Sequence, residues 1–328
     1  MNEKAKKALG ISLIVLAVIA ILAAVVLGVF EHYYGKLNFQ NLKTETSVDS
    51  DDPDLAEFLA YLKENGISTS DLEFDDNNVL NILLVGTDNR SAGSSARSDS
   101  MIIVSINQNT KKIILTSLLR DCYVYIPGHG SAKLNAAYSY GGISLLLQTI
   151  EYNFNIPIKN YASVDFEAFK DVVETIGGVT VNLTQPEIDY IKAELPDHEN
   201  ENLQVGSSTL DPEQALSHAR NRHVGTDFER TRRQRDIVLA SMKKVKNLSL
   251  MELNSLINVL LPDVTTNVTR SQLVGALLHA RTYSKYTVES YSIPQANTYT
   301  NKTINGQDCL MVDFASNVQF LHEKIYGN

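Results

Sequence analysis

The 328-residue chain contains no tryptophan, only two cysteines, and fewer basic than acidic residues, 29 against 38. Its formal net charge of −9 argues against a general nucleic-acid binder, whose domains are ordinarily basic. Cys122 and Cys309 are too few and too far apart for a disulfide framework. Two ordinary buried thiols are the simpler reading and a single bridge is the alternative. No self-similarity of solenoid period is visible, so a repeat array is excluded. What is abundant is apolar: 44% of the residues are hydrophobic and 15 are tyrosine. That is the profile of a folded chain, long enough for one large domain or two ordinary ones.

Ala8 to Phe30 carries no charge. As a helix rising about 1.5 Å per residue it reaches roughly 35 Å, enough to cross a hydrocarbon core of about 30 Å. Lys4, Lys6 and Lys7 precede it and Glu31 follows. The positive-inside rule therefore places residues 1–7 in the cytoplasm and everything after Phe30 outside the membrane. A cleaved signal peptide is the competing reading. The run is longer than a usual signal core and lacks a clear small-x-small cleavage site, which favours a retained single-pass helix over 8–30. Residues 31–76 read as an extracytoplasmic spacer. It is polar up to Asp54 and includes a short helix over Pro53–Asn65 with Leu55, Phe58, Leu59 and Leu62 on one face. The folded domain is expected over 77–328.

Within that domain strands and helices interleave. Val79–Gly86, Met101–Asn107 and Lys112–Leu119 are β-rich, the last two joined by a hairpin-like Gln108-Asn109-Thr110-Lys111. A helix is expected over Ile143–Phe154. Another begins near Asp165, with Phe166, Phe169, Val172, Val173 and Ile176 on one face and Gly177-Gly178 as its stop. Val179–Leu183 reads as a strand. Asp211-Pro212-Glu213-Gln214 and Thr226-Asp227-Phe228-Glu229 are helix starts with capping-box spacing, the second helix reaching about Leu248. Helices near Met251–Leu260 and Ser271–Tyr283, strands near Thr287–Ile293 and Cys309–Asp313, and a last helix to Tyr326 complete the pattern. The expected class is α/β, a single mixed sheet covered by helices on both faces in three α-β-α layers.

Six arginines fall between Ala219 and Asp236 of this acidic chain. Arginine presents a planar fork suited to phosphate or carboxylate, and a position outside the membrane removes nucleic acid as its target. Arg230, Arg233 and Gln234, at i, i+3 and i+4, share one helical face. Arg232 and Asp236 form a solvated pair on another, and Arg235 reads as surface. Arg220 and Arg222 share a face only if their segment is extended. Elsewhere charge gathers at strand ends: Asp88 after the first strand, Arg97 and Asp99 leading into the second, Arg120-Asp121 closing the third. Ligand sites of open α/β sheets collect at such positions. Asp88 and Asp99 would suit one Mg²⁺ together with substrate phosphates. Read blandly, Asp88 lies in a turn and Arg97–Asp99 is a surface pair.

These blocks resemble the LytR–CpsA–Psr family of Gram-positive cell-wall glycopolymer transferases. The resemblance runs from Val79 to Leu248, through Asn81–Arg90, Arg97–Met101, Arg120-Asp121, Lys133–Tyr138, Gly177-Gly178-Val179, Ala215–Arg222 and Arg230–Gln234. It implies an α-β-α core with a hydrophobic tunnel for a polyprenyl chain, and transfer of a glycopolymer from a polyprenyl pyrophosphate carrier onto peptidoglycan. Teichoic acid, capsular polysaccharide and other secondary polymers all remain open. The resemblance makes Asp88 and Asp99 the Mg²⁺ carboxylates, with Mn²⁺ an alternative metal. Arg97, Arg120, Arg220, Arg222 and Arg230 become pyrophosphate contacts. Lys133, Arg233 and Gln234 support the head group, and Asp227 matches an aspartate near the phosphates. Three positions depart from the pattern: Leu119 stands in place of proline, Ser98 and Ser100 in place of threonines, and Glu229 in place of glycine. Glu229 brings negative charge toward the arginines, with a change of substrate preference as the expected effect.

Metal and arginines would neutralise charge as an acceptor sugar hydroxyl attacks the sugar-linked phosphorus and polyprenyl phosphate leaves. Asp121 and Asp227 are equal candidates to orient or deprotonate that hydroxyl. A lipid-pyrophosphate phosphatase and a non-catalytic prenyl-phosphate-binding regulator are the alternatives.

Overall fold

The computed structural model describes residues 60–62, 64, 77–87, 98–260 and 264–327, with 99, 259, 260, 280 and 281 described by backbone alone. In chain order, β1 (Val79–Thr87), β2 (Ser98–Asn107), β3 (Lys112–Leu118), β4 (Cys122–Ile126) and β5 (Gly130–Lys133) lead into α1 (Leu134–Phe154). Then come β6 (Asn160–Val164), α2 (Phe166–Thr175), β7 (Val179–Leu183), α3 (Gln185–Glu194) and β8 (Gly206–Leu210). Next are α4 (Pro212–Arg220), α5 (Asp227–Val245), α6 (Leu250–Leu260), β9 (Val264–Thr266) and α7 (Arg270–Tyr283). β10 (Thr287–Ile293), β11 (Tyr299–Ile304), β12 (Gln307–Val312) and α8 (Phe314–Tyr326) end the order.

β1 is buried along its whole length because both of its faces are covered. Its two-residue period sends Leu80, Ile82 and Leu84 into one core and Val79, Leu83 and Val85 into the other. Apolar faces of α2 to α7 close the first core; α1, α8 and β4 close the second. β1 is the fourth strand of a six-stranded sheet, order β10-β3-β2-β1-β6-β9. β2 runs antiparallel to β1 and β3, and β9 antiparallel to β6, while β6 runs parallel to β1 and β10 parallel to β3, so this sheet is mixed.

The expected single sheet is corrected in one respect. A four-stranded sheet, β11-β12-β4-β5, and the pair β7-β8 stand beside the main one. Their strands are short and half-exposed, as in Gly130-Ser131-Ala132-Lys133 and the solvent-facing β11, so no apolar run announces them. Asn305 and Gly306 turn the β11–β12 hairpin at φ +50° and +72°, a two-residue loop whose twist matches that of the strands. Leu310 pairs in register with Cys122. Cys309 is therefore directed to the opposite sheet face, and both thiols are free.

The capping signals are read correctly. Asp165 accepts from Ala168 N–H, and Asp211 and Thr226 begin reciprocal capping boxes. α1 begins earlier than expected, at Leu134. Its backbone breaks at Gly141 and Gly142 (φ +62°, ψ −155°) and resumes as helix, so the two glycines interrupt the helix rather than precede it. The membrane helix expected over 8–30 lies outside the described residues, as does most of the spacer. Residues 60–62 and 64 are helical, and Leu62 packs into the first core at 5% exposure. Among the described residues no helix is long and apolar enough to cross a membrane.

Candidate functional site

Arg120 and Asp121 occupy the short link that carries the chain from β3 of the large sheet to β4 of the small one. Backbone bonds fix this link: Leu119 N–H donates to Ile293 O (2.9 Å), Cys122 N–H to Leu119 O (3.1 Å) and Leu310 N–H to Asp121 O (2.9 Å). The side chains therefore project from a rigid turn. Asp121 accepts from Lys133 Nζ at 2.7 Å. Arg120 Nε lies 3.6 Å from Asp121 and 3.9 Å from Asp227. Asp227, in the first turn of α5, takes both terminal nitrogens of Arg230, at 2.5 and 2.6 Å. The result is one chain of alternating charge, Lys133–Asp121–Arg120–Asp227–Arg230. Arg230 is buried to 1% exposure, whereas the other four are each partly open. A cavity of about 680 Å³ opens on the exposed end, with Arg120, Asp121, Lys133 and Arg222 in its wall.

Arg220 ends α4 with its guanidinium 5.3 Å over the Phe166 ring. The loop that follows carries Arg222 and is held from below. Arg233 donates to the carbonyls of Asn221 (2.6 Å) and Val224 (3.0 Å), and pairs with Glu187 at 3.3 Å. Asn221 closes the loop by accepting from His223 and Val224 N–H. Glu187 and Arg233 are both buried. Burial alone would raise the Glu187 carboxyl, but the Thr184 N–H and hydroxyl, each donating at 2.8 Å, hold it below its ordinary value. Burial lowers Arg233 and pushes His218, packed beside the pair, down to about 4, so the imidazole is neutral. Gln234 bridges two elements: its carbonyl accepts from the Ser100 hydroxyl (2.6 Å) and its amide donates to Ala219 O (3.4 Å).

The sequence-predicted residues thus divide. Arg120, Asp121, Lys133, Asp227 and Arg230 come together, with Arg220 and Arg222 on the adjoining loop. Arg233 and Gln234 sit in the scaffold beneath the cavity. Asp88 and Arg97 lie outside the described residues. Asp99 is a backbone position of β2, at a register shift where Gly86 pairs with Ser100 and Thr87 with Ser98. It is therefore the extra residue of a bulge, at the end of β1 from which Asp88 follows.

Arg232 is half-exposed and paired with Asp236 at 2.7 Å, as its spacing indicated. The surface reading of Arg235 is corrected. It is buried and donates to the Ser117 and Ser292 hydroxyls at 2.8 Å each, because this side of α5 packs on β3 and β10. Glu229 closes the α5 capping box that its spacing predicts: its carboxylate accepts from Thr226 N–H (2.7 Å) and from the Thr226 hydroxyl. Glu187 and His218 were missed. Thr184-Gln185-Pro186-Glu187 is itself a capping-box signal and was available to mark α3, though nothing local names Arg233 as the partner.

Fold and cavity together define an α/β protein with paired cations and carboxylates clustered at the seam of two sheets. The LytR_cpsA_psr family model matches residues 32–324, and the chain belongs to that family. It is 36% identical over 209 residues to the polyisoprenyl-teichoic acid–peptidoglycan teichoic acid transferase TagU of Oceanobacillus iheyensis, covering 61% of this chain and 62% of that one. The chain spans about three-fifths of the length of the curated relatives it matches. Its fold is similar to that of TagT bound to LIIa-WTA, with TM-score 0.64, 28% identity, and 78% and 93% of the two chains covered. It is also similar to that of TagT (YwtF) with bound octaprenyl pyrophosphate lipid, with TM-score 0.61, 27% identity, and 78% and 94% covered.

Proposed function

We propose that this protein transfers a glycopolymer of teichoic-acid type from a polyprenyl pyrophosphate carrier to peptidoglycan. The observation that carries this reading is the alternating charge chain open to the cavity. Lys133 and Arg120 are prepositioned cations in the cavity wall whose carboxylate partner a doubly charged diphosphate can displace, with Arg230 buried behind them on Asp227. The TagU and TagT names and the octaprenyl pyrophosphate bound to TagT support the same substrate class.

Arg120 and Arg230, with Arg220 and Arg222 from the flanking loop, would neutralise the diphosphate as charge shifts to the leaving polyprenyl phosphate. Arg233 and Gln234 would position that loop and β2 without touching substrate. By resemblance Asp88, which follows β1 in sequence, and Asp99, in β2, would supply the hard oxygen donors that suit Mg²⁺. The metal, when bound, supplies further charge neutralisation at the phosphates. Asp121 rather than Asp227 is the carboxylate in the cavity wall, and it would orient the attacking sugar hydroxyl. A loose phosphoryl transition state asks little of a base, so pairing with Lys133 is no obstacle. Arg97 is assigned to the diphosphate by resemblance alone. The polyprenyl tail would lie in an apolar tunnel of the core. A single membrane helix over 8–30 would hold the domain outside the cell membrane, beside a donor that never leaves the bilayer.

The test is Arg120→Ala, and separately Asp99→Ala, in the full-length chain reconstituted with lipid-linked donor, Mg²⁺ and peptidoglycan fragments. Removing a preorganised charge of this kind costs about 10²–10³ in rate. Glycan joined to peptidoglycan by the wild type and lost in both variants supports the reading. Wild-type turnover in either variant overturns the site. Free phosphorylated glycan from the wild type replaces the transferase with a phosphatase, and unchanged donor replaces it with a binder.

A further inference from the structure

Of the loop between α4 and α5, Arg222 lines the cavity. Residues 221–226 are neither helix nor strand, so no backbone ladder sets where Arg222 points. Whatever orders the loop therefore orders Arg222. Part of that order is internal: Asn221, itself fully buried, accepts from His223 N–H at 2.9 Å and from Val224 N–H at 3.0 Å. The remainder leads to α3.

α3 holds the loop at two points. The first is polar. Nη2 of Arg233 donates to the carbonyls at both ends of the loop, Asn221 and Val224, while its Nη1 is taken by Glu187. Glu187 is in turn fixed by the Thr184 N–H and hydroxyl at the start of α3. The second point is aromatic. His223, the residue after Arg222, stacks on Tyr190 with ring centroids 5.5 Å apart and planes at 28°. Glu187 and Tyr190 are three positions apart on α3 and share one helical face. No residue of α3 lines the cavity, so any effect of this helix on a ligand there passes through the loop. An arginine has much rotamer freedom to lose on binding, and a wandering backbone adds to that loss. A loop ordered before the ligand arrives has less left to lose.

We propose that Glu187 and Tyr190 are positioning residues: through Arg233 and His223, α3 fixes the Asn221–Val224 loop so that Arg222 meets the diphosphate already ordered. The proposal rests on the transferase reading and deepens it, because it puts a determinant of donor affinity on a helix outside the cavity.

The experiment is a double-mutant cycle in the full-length chain, read as affinity for octaprenyl pyrophosphate. Tyr190→Ala removes the stack and leaves the Glu187–Arg233 pair in place. It should weaken binding about two- to tenfold, the span of an aromatic pair's contribution. Tyr190→Phe keeps the ring and should bind as the wild type does. Glu187→Gln releases the Arg233 clamp independently and should weaken binding over a similar range, about two- to tenfold. In an Arg222→Ala background both losses should vanish, since the contacts then have no arginine to position. Losses that vanish in this way, with Tyr190→Phe at the wild-type value, support the proposal. Equal losses with and without Arg222 indicate general destabilisation and overturn it. So does a loss from Tyr190→Phe that matches Tyr190→Ala, or the absence of any loss from both α3 variants. If the wild type binds no octaprenyl pyrophosphate, the transferase reading falls first and the positioning role with it.

Discussion

Arg233 and Glu187 form an ion pair at 1% and 3% side-chain exposure, and the energetics of such a pair appear when one member leaves. Truncating Glu187 to alanine strands a buried guanidinium, which costs about 3–5 kcal/mol; urea unfolding of the Glu187→Ala variant measures it. His218 beside this pair makes stability depend on pH. Its folded value is lowered from 6.5 to about 4 by burial, which outweighs the pull of Glu187, while Arg233 and Arg232 lower it further. The unfolded chain therefore binds a proton that the folded chain refuses. The resulting stability is fully present above pH 6.5 and is lost as pH falls toward 4, at up to about 1.4 kcal/mol per pH unit. Unfolding midpoints at pH 7 and 5 should differ more for wild type than for His218→Gln.

The elements show which signals a sequence carries. Gly142 has a backbone conformation that only glycine tolerates well. Gly142→Ala should cost about 1–3 kcal/mol at the break in α1, read as a lower melting temperature. β1, β2 and β3 were legible as apolar runs because burial on both faces leaves few polar positions. α2, α4 and α5 were legible from caps, whose chemistry is local. β4, β5, β11 and the short β9 were not, because exposed or brief strands owe their order to neighbours distant in sequence. The site divides along the same line. Arg120, Asp121 and Arg230 were legible as charge in unusual places, and Lys133 and Asp227 only through the family resemblance. Glu187 and the burial of Arg235 depend on which surfaces meet, and local spacing does not encode that.

For the molecule as a whole, Leu62 shows that the packed unit reaches back beyond β1. A chain beginning at residue 77 exposes the site that Leu62 fills and should be less stable by about 1.5–3 kcal/mol than one beginning at residue 50; denaturant unfolding of the two measures the difference. On the proposed transferase reading, the alternating charge chain also bears on how a protein of net charge −9 selects its anion. Bare arginines would attract any monovalent ion that passed. Here each cation of the chain already has an internal carboxylate, and an intruder must outcompete it. Chloride or a single acetate gains too little from that exchange, whereas a ligand bearing two linked phosphates replaces two carboxylates in one binding event. The carboxylates thus act as resident competitors, setting a valence threshold for entry.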